Sequence, residues 1–400
     1  MAFCGWGFLH AAAPLVVPLM VPFVVLLAVL AGCAGASGEA LSEGRQDEDA
    51  HRQRGVGGGE EGAALGGMSL REMVGQMFVV SVSGTEPDYY VEKMVRERNI
   101  GGVILFGHNM RSEVQVESLT GALQELSVET EPAVPLFVAV DQEGGDIASA
   151  PWVSPQPSVA EIGRRGDPAE ARAVAGEIGD QFLRAGVNTN FAPVVDTGYG
   201  AAIGNRSYGE DPELVARMGA AAVEGFEDAG VVSAAKHFPN HGPAASDSHV
   251  SLPVIGHDAA TVRSYDLPPF RAAVRAGVPM VMVGYLVYPA IDAERPASLS
   301  ADAISMLRGD LGFDGVALAD DLSMAGASGG GPPARAAVDA VEAGADLLIV
   351  SSPYQEQAAA YDAVVAAVES GEIPHGRIRE SVGRLLRIKD RYDLRGVRSH

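Results

Sequence analysis

GVALADDLSMAGASGGGPPARAAVDAVEAGADLLIVSS, residues 315–352, holds two short apolar runs, each ending in polar side chains, with a glycine-rich and then alanine-rich stretch between them. GVALADD (315–321) and ADLLIVSS (345–352) are nearly continuous hydrophobic segments without polar alternation. That pattern suits a parallel strand covered on both faces, because an exposed face would require a polar residue at every second position. The same unit recurs along the chain. Six further runs read alike: MFVVSVSG (77–84), GGVILFG (101–107), PLFVAVD (135–141), TNFAPVVD (189–196), VVSAAKHF (231–238) and VPMVMVGYLV (278–287). Helical segments lie between them, and two have legible starts. Asp167-Pro168 with Glu170, and Asp211-Pro212-Glu213, each supply a capping carboxylate, a proline where no N–H is needed and an acidic first turn. Eight strand–helix units predict an α/β fold of the (β/α)8 TIM-barrel type, a single catalytic domain over residues 68–396. The alternative is a doubly wound open sheet, and the glycine-rich dinucleotide fingerprint it usually carries after its first strand is missing.

Composition bounds the rest. Among 400 residues 47% are hydrophobic and 20% charged, which excludes a disordered chain. The net charge is −23, from 52 acidic and 29 basic residues, so the chain repels phosphate backbones and no nucleic acid is expected as partner. The two cysteines, Cys4 and Cys33, cannot build a disulfide framework or a four-ligand zinc site. Residues 11–32 are uncharged and long enough to span a bilayer, and they end in Leu30-Ala31-Gly32-Cys33. Small residues before a cysteine predict a lipoprotein signal peptide over 1–32, with Cys33 acylated as the new N-terminus. The preceding MAFCGWGFLH has no Lys or Arg, and the other reading of the segment is an uncleaved anchor. Either one places the remainder at the cell membrane, facing the extracytoplasmic side. Residues 33–67, including HRQRGVGGGEEGAALGG (51–67), carry almost no large apolar side chain and read as a flexible tether.

A barrel puts its chemistry at the carboxyl ends of its strands. Those ends here are Asp141-Gln142-Glu143, Asp196, Lys236-His237 and Asp320-Asp321. One acidic strand end can be a helix cap; four charged ends converging on one mouth point to a polar site.

Six segments at and around these ends resemble one family. KHFPNHGPAASDSH (236–249), DQEGG (141–145), NFAPVVD (190–196), IGNRSYGEDP (203–212), PASLS (296–300) and GFDGVALADDLSM (312–324) are similar, in order and spacing, to family 3 glycoside hydrolases of the bacterial β-N-acetylglucosaminidase branch, single-domain type. The resemblance implies a retaining exo-acting enzyme that removes terminal N-acetylglucosamine from peptidoglycan fragments or muropeptides. Asp320 would be the nucleophile, with Asp321 in a structural role such as capping. His249 would be the acid/base, oriented by Asp247, a neighbour that favours the protonated donor; the Gly, Pro and Ala before it suggest a loop able to swing. Asp141 would accept hydrogen bonds from sugar hydroxyls, Lys236 and His237 would donate them, and Arg206 would reach the sugar. Asp141 and Asp196 are the candidate partners for the buried cations. No cofactor or metal is implied, and a monomer is expected.

Some positions depart from the family pattern: Asp146 where arginine is usual, Asn240 within FPNHG, Tyr285 where strand six commonly ends in histidine, and the shortened loop after Met324. The departures at Asp146 and Tyr285 leave room for a catalytically silent lipid-anchored sugar-binding protein. A His donor, which unlike a carboxylate does not repel an incoming phosphate, leaves room for a phosphorolytic relative, and a β-glucosidase without N-acetyl preference is the third alternative.

Overall fold

The computed structural model describes residues 65–328 and 331–394. Cys33, the 1–32 signal and the tether up to Ala64 lie outside the described residues. Among those that are described, no helix is long and apolar enough to cross a membrane.

The eight expected strands are the eight staves of a closed parallel barrel: β1 (Phe78–Ser81), β2 (Gly102–Leu105), β3 (Phe137–Val140), β4 (Thr189–Asn190), β5 (Val232–Phe238), β6 (Met280–Val283), β7 (Val316–Ala319) and β8 (Leu347–Val350). β8 closes on β1 through the register Phe78↔Leu348, Val79↔Ile349 and Val80↔Val350. The open-sheet alternative is thereby excluded. Except for Ser81, the residues of these staves are buried, as continuous apolar runs require.

The ladders are shorter than the apolar runs, and the difference is instructive. β4 stops at Asn190, and the next bridge to β5 is Val194↔Lys236; between them the Ala192 and Pro193 carbonyls still accept from the Ala234 and Lys236 amides, but Pro193 has no N–H to give back. In β7 the ladder ends at Ala319, one residue before Asp320. The charged ends leave the ladder and turn into the mouth. In β5 the register against β6 shifts between Lys236 and Phe238, and two consecutive residues, Lys236 and His237, reach the same cavity.

Helices Pro168–Arg184 and Pro212–Ala229 begin as predicted, with Asp167 and Asp211 accepting from Ala169 and Glu213 amides at 3.0 Å each. After β3 a small hairpin pairs Gln142–Gly144 with Ile147–Ala148. Gly144 and Gly145 have φ of 96° and 58°, a backbone that side chains rarely tolerate, and this tight turn holds Glu143 over the barrel.

At the foot of the barrel Asp346, just before β8, is fully buried. It accepts from the Ala317 amide at 3.0 Å, Ser381 Oγ at 2.8 Å and Arg377 Nη2 at 2.8 Å, and also binds Arg308 and Arg384.

Candidate active site

A cavity of about 210 Å³ opens at the C-terminal end of the barrel. Asp141, Glu143, Arg206, Lys236, His237, His249 and Asp320 all line it, with Phe106, Phe191 and Met282 as apolar walls. The structure thus brings together the seventh strand, the third and fifth strand ends and the loop after β5. Asp247 touches His249 rather than the cavity.

The wall from β3 to β5 is a buried ion cluster. Lys236 Nζ lies 2.6 Å from Asp141 Oδ1 and 2.8 Å from Glu143 Oε1. Arg206 grips Glu143 with two hydrogen bonds, Nε–Oε2 at 2.7 Å and Nη2–Oε1 at 2.8 Å, and gives a third to the Ala202 carbonyl. Burial works against the Glu143 charge, but Lys236 and then Arg206 outweigh it and hold the carboxyl at about 2. Lys236 is deprived of water by burial, yet Asp141 and Glu143 more than compensate and raise its pKa. Two of its three protons are committed, leaving one for a ligand.

Here the expected pairing is corrected. The partner of Arg206 is Glu143, not Asp196 or Asp141; the sequence marked Glu143 only as part of a charged strand end. Charge counting offers a signal, since two buried cations require two carboxylates and Glu143 stands one full strand period from Asp141. Asp196 is fully buried and does not line the cavity. It accepts from the His241 amide at 2.6 Å and the His237 amide at 3.2 Å, and it contacts His237 Nδ1 at 2.7 Å. Burial, then the nearby Arg206 and Lys236 charges, push the His237 pKa well down. A neutral ring facing a carboxylate places its proton on Nδ1. That leaves Nε2 as an acceptor.

Asp320 is half-buried at the end of β7. Its Oδ1 accepts from the Asp321 amide at 2.8 Å, and Tyr285 Oη donates to its backbone carbonyl at 2.8 Å. Burial is the largest influence on its carboxyl and raises it to about 6, against the Asp321 amide and the Lys236 charge. Asp321 accepts from the Ser323 and Ser351 amides at 3.0 and 3.1 Å and binds the Ser351 hydroxyl, tying the end of β7 to that of β8. Tyr285, one of the departures, is a fully buried strut beneath Asp320.

The loop after β5 carries the imidazole. Its base is fixed by Asn240, whose Oδ1 accepts from the Thr197 and Gly242 amides at 2.9 Å and whose Nδ2 donates to Asp266 at 2.7 Å. Here too a departure forms a structural anchor. At the tip Asp247 Oδ1 accepts from both the His249 amide at 2.9 Å and His249 Nδ1 at 2.7 Å, so the pair is assembled within one turn. Partial burial opposes the Asp247 charge, but these His249 contacts keep its pKa below the usual carboxylate range. The His249 side chain is 65% exposed. Ser248 between them is buried: its hydroxyl meets His241 Nε2 at 2.9 Å, and its carbonyl accepts from the Gly326 amide at 3.1 Å. A Cβ at Gly326 would stand 2.8 Å from Tyr285 Cβ and 3.0 Å from the Ser248 carbonyl, so only glycine lets the β7 loop approach this closely. Asp146, the remaining charged departure, is exposed and away from the cavity.

A parallel barrel with paired carboxylates and an imidazole at its mouth is the architecture of a glycoside hydrolase. Residues 69–388 match the model of the glycosyl hydrolase family 3 N terminal domain, and the chain belongs to that family. Beta-hexosaminidase A of Pseudoalteromonas piscicida is 34% identical over 327 residues, covering 75% of this chain and 54% of that one. A glycoside hydrolase family 3 β-N-acetylglucosaminidase from Paenibacillus sp. superposes with a TM-score of 0.81 at 40% identity, covering 83% of this chain and 64% of that one. A β-N-acetylhexosaminidase from Beutenbergia cavernae superposes with a TM-score of 0.75 at 31% identity, covering 81% and 99%. The chain therefore spans about half of the first of these proteins and nearly all of the last.

Proposed function

We propose that this chain is a retaining, exo-acting β-N-acetylglucosaminidase. The observation behind the proposal is that Asp320 and the His249 ring, borne on separate elements, face one cavity whose far wall is the Asp141–Lys236–Glu143–Arg206 cluster. The names of the relatives, a beta-hexosaminidase, a β-N-acetylglucosaminidase and a β-N-acetylhexosaminidase, support an N-acetyl-β-hexosaminide as the sugar.

In the first step the Asp320 carboxylate attacks the anomeric carbon and the glycosidic bond breaks. The leaving oxygen takes a proton from His249 Nε2, the ring nitrogen not engaged by Asp247. In the second step water attacks the glycosyl ester, His249 recovers the proton, and Asp320 is released. Asp247 orients the ring throughout. Asp141 and His237 Nε2 accept from sugar hydroxyls, Lys236 donates its third proton, and Arg206 acts mainly by holding Glu143 and hence Lys236.

In the same proposal residues 1–32 are a signal peptide, Cys33 carries the lipid, residues 33–67 tether the barrel, and residues 68–396 act as a monomer outside the cytoplasm on peptidoglycan fragments. Proton NMR of an aryl N-acetyl-β-glucosaminide digest is the test, run with and without phosphate. The β-anomer of N-acetylglucosamine should appear first, at a rate unaffected by phosphate. First appearance of the α-anomer, accumulation of a sugar 1-phosphate, or binding without turnover would each overturn it. Mass spectrometry of digested muropeptides should show loss of one N-acetylhexosamine.

A further inference from the structure

A second cavity, of about 330 Å³, adjoins the first at the rim between β1, β2 and β8. Phe106, at the end of β2, lines both. Its other walls are unusual for a chain with only 6% aromatic residues. Tyr90 and Tyr354 stack with centroids 4.7 Å apart and planes 26° apart, and Phe106 and His108 stack at 6.0 Å and 15°. Tyr90 is 45% exposed, so its ring is offered to solvent rather than spent on the core. Ser83 and Asp88 add polar groups, and among the described residues no Lys or Arg lines the cavity.

A shared wall connects this space to the reaction proposed above. In that reaction the first sugar fills the cavity lined by Asp141, Lys236, His237 and Asp320. Phe106 belongs to both cavities, so a second ring that overruns the first cavity on the Phe106 side enters this one. Its contents are those that recognise a pyranose: flat rings for the C–H face, hydroxyl and carboxylate acceptors for the edge, and, among the described residues, no Lys or Arg to demand an anionic ligand.

We infer that the Tyr90–Tyr354 cavity binds the second sugar ring, a β-linked 2-acetamido-hexopyranose on the reducing side of the scissile bond, and sets the preference of the enzyme for oligosaccharides over simple glycosides. The inference rests on the proposed hydrolase activity. A 2-acetamido sugar of this kind belongs either to a chitin-type oligomer or to a muramyl disaccharide.

The test compares Tyr90→Ala and Tyr354→Ala with the parent on three substrates: methyl N-acetyl-β-glucosaminide, whose aglycone is too small to reach the rim, diacetylchitobiose, and N-acetylglucosaminyl-anhydromuramic acid. The ratio of kcat/KM for a disaccharide to that for the methyl glycoside should fall about tenfold in each variant, the size expected for a lost ring stack. The Ki of free N-acetylglucosamine serves as a control on the first cavity. A fall confined to one disaccharide supports the inference and identifies the source of the ring. Ratios within about twofold of the parent for both disaccharides, in variants with parental melting temperature, would overturn it. If the parent hydrolyses none of the three, the proposed activity fails instead, which is a separate outcome.

Discussion

Both ends of the barrel bury ions, and they do so to opposite ends. At the foot, Asp346 is surrounded by three arginines, a serine hydroxyl and a strand amide, and every contact is internal to the fold. At the mouth, Asp320 is buried enough for its carboxyl to rise to about 6, and among the described residues no Lys or Arg is in direct contact with it. The foot spends its charges on cohesion. The mouth keeps one carboxylate under-compensated, which is a cost to stability unless a substrate uses it.

Asp320→Asn should separate the two ends most sharply. In the proposed reaction it removes the nucleophile, and turnover should drop by at least about 10⁴-fold. Stability should move the other way. A carboxyl raised in the folded state favours the protonated native form, so its stabilising contribution is full below about pH 4 and lost as pH rises through about 6. The variant should therefore gain roughly 1–3 kcal/mol over the parent above pH 7, and the gain should vanish toward pH 4. Melting temperatures across pH measure this. The kcat/KM of the parent should rise through an apparent pKa near 6 as Asp320 ionises.

Asp346→Ala should do the reverse. Three half-buried arginines lose the buried carboxylate they share, at a cost of about 3–5 kcal/mol. Activity per folded molecule should hardly change, and Asp346→Asn offers a milder version if the alanine variant does not fold. Denaturant midpoints with active-site titration would report it. An equal loss of activity per folded molecule would show that the two ends are coupled.

The smallest effects belong to the loop after β5. His249→Ala should slow disaccharide cleavage by about 10²–10³-fold and activated aryl glycosides far less, because good leaving groups need little proton assistance. Ser248→Ala, which cuts the contact to His241, should cost only about two- to fivefold on the same disaccharide, a single hydrogen bond. Equal losses on both substrate types in His249→Ala would count against its role as the acid.

Much of this was readable in the sequence, for a physical reason. A strand covered on both faces must be apolar throughout, so all eight staves announced themselves, and Asp167-Pro168 and Asp211-Pro212 marked helix starts. Asp141, Arg206, Lys236, His237, His249 and Asp320 were found at strand ends or by likeness, and the fold gathers them in one cavity. What stayed hidden were the pairings. Whether Arg206 meets Glu143 or Asp196 depends on a glycine turn between positions 63 residues apart. The acceptor face of His237 depends on a contact across 41 residues. Asn240 and Tyr285 looked like departures from a pattern; packing shows them to be struts, one under the loop and one under Asp320.

One more consequence follows from the turn at 247–249. Because a single carboxylate oxygen holds both the amide and the ring of His249, the dyad is a prefabricated cartridge. Wherever the loop travels, donor and orienting group arrive together and already aligned. Only the address of the cartridge remains to be set, and the grip on Ser248 is where that address is written.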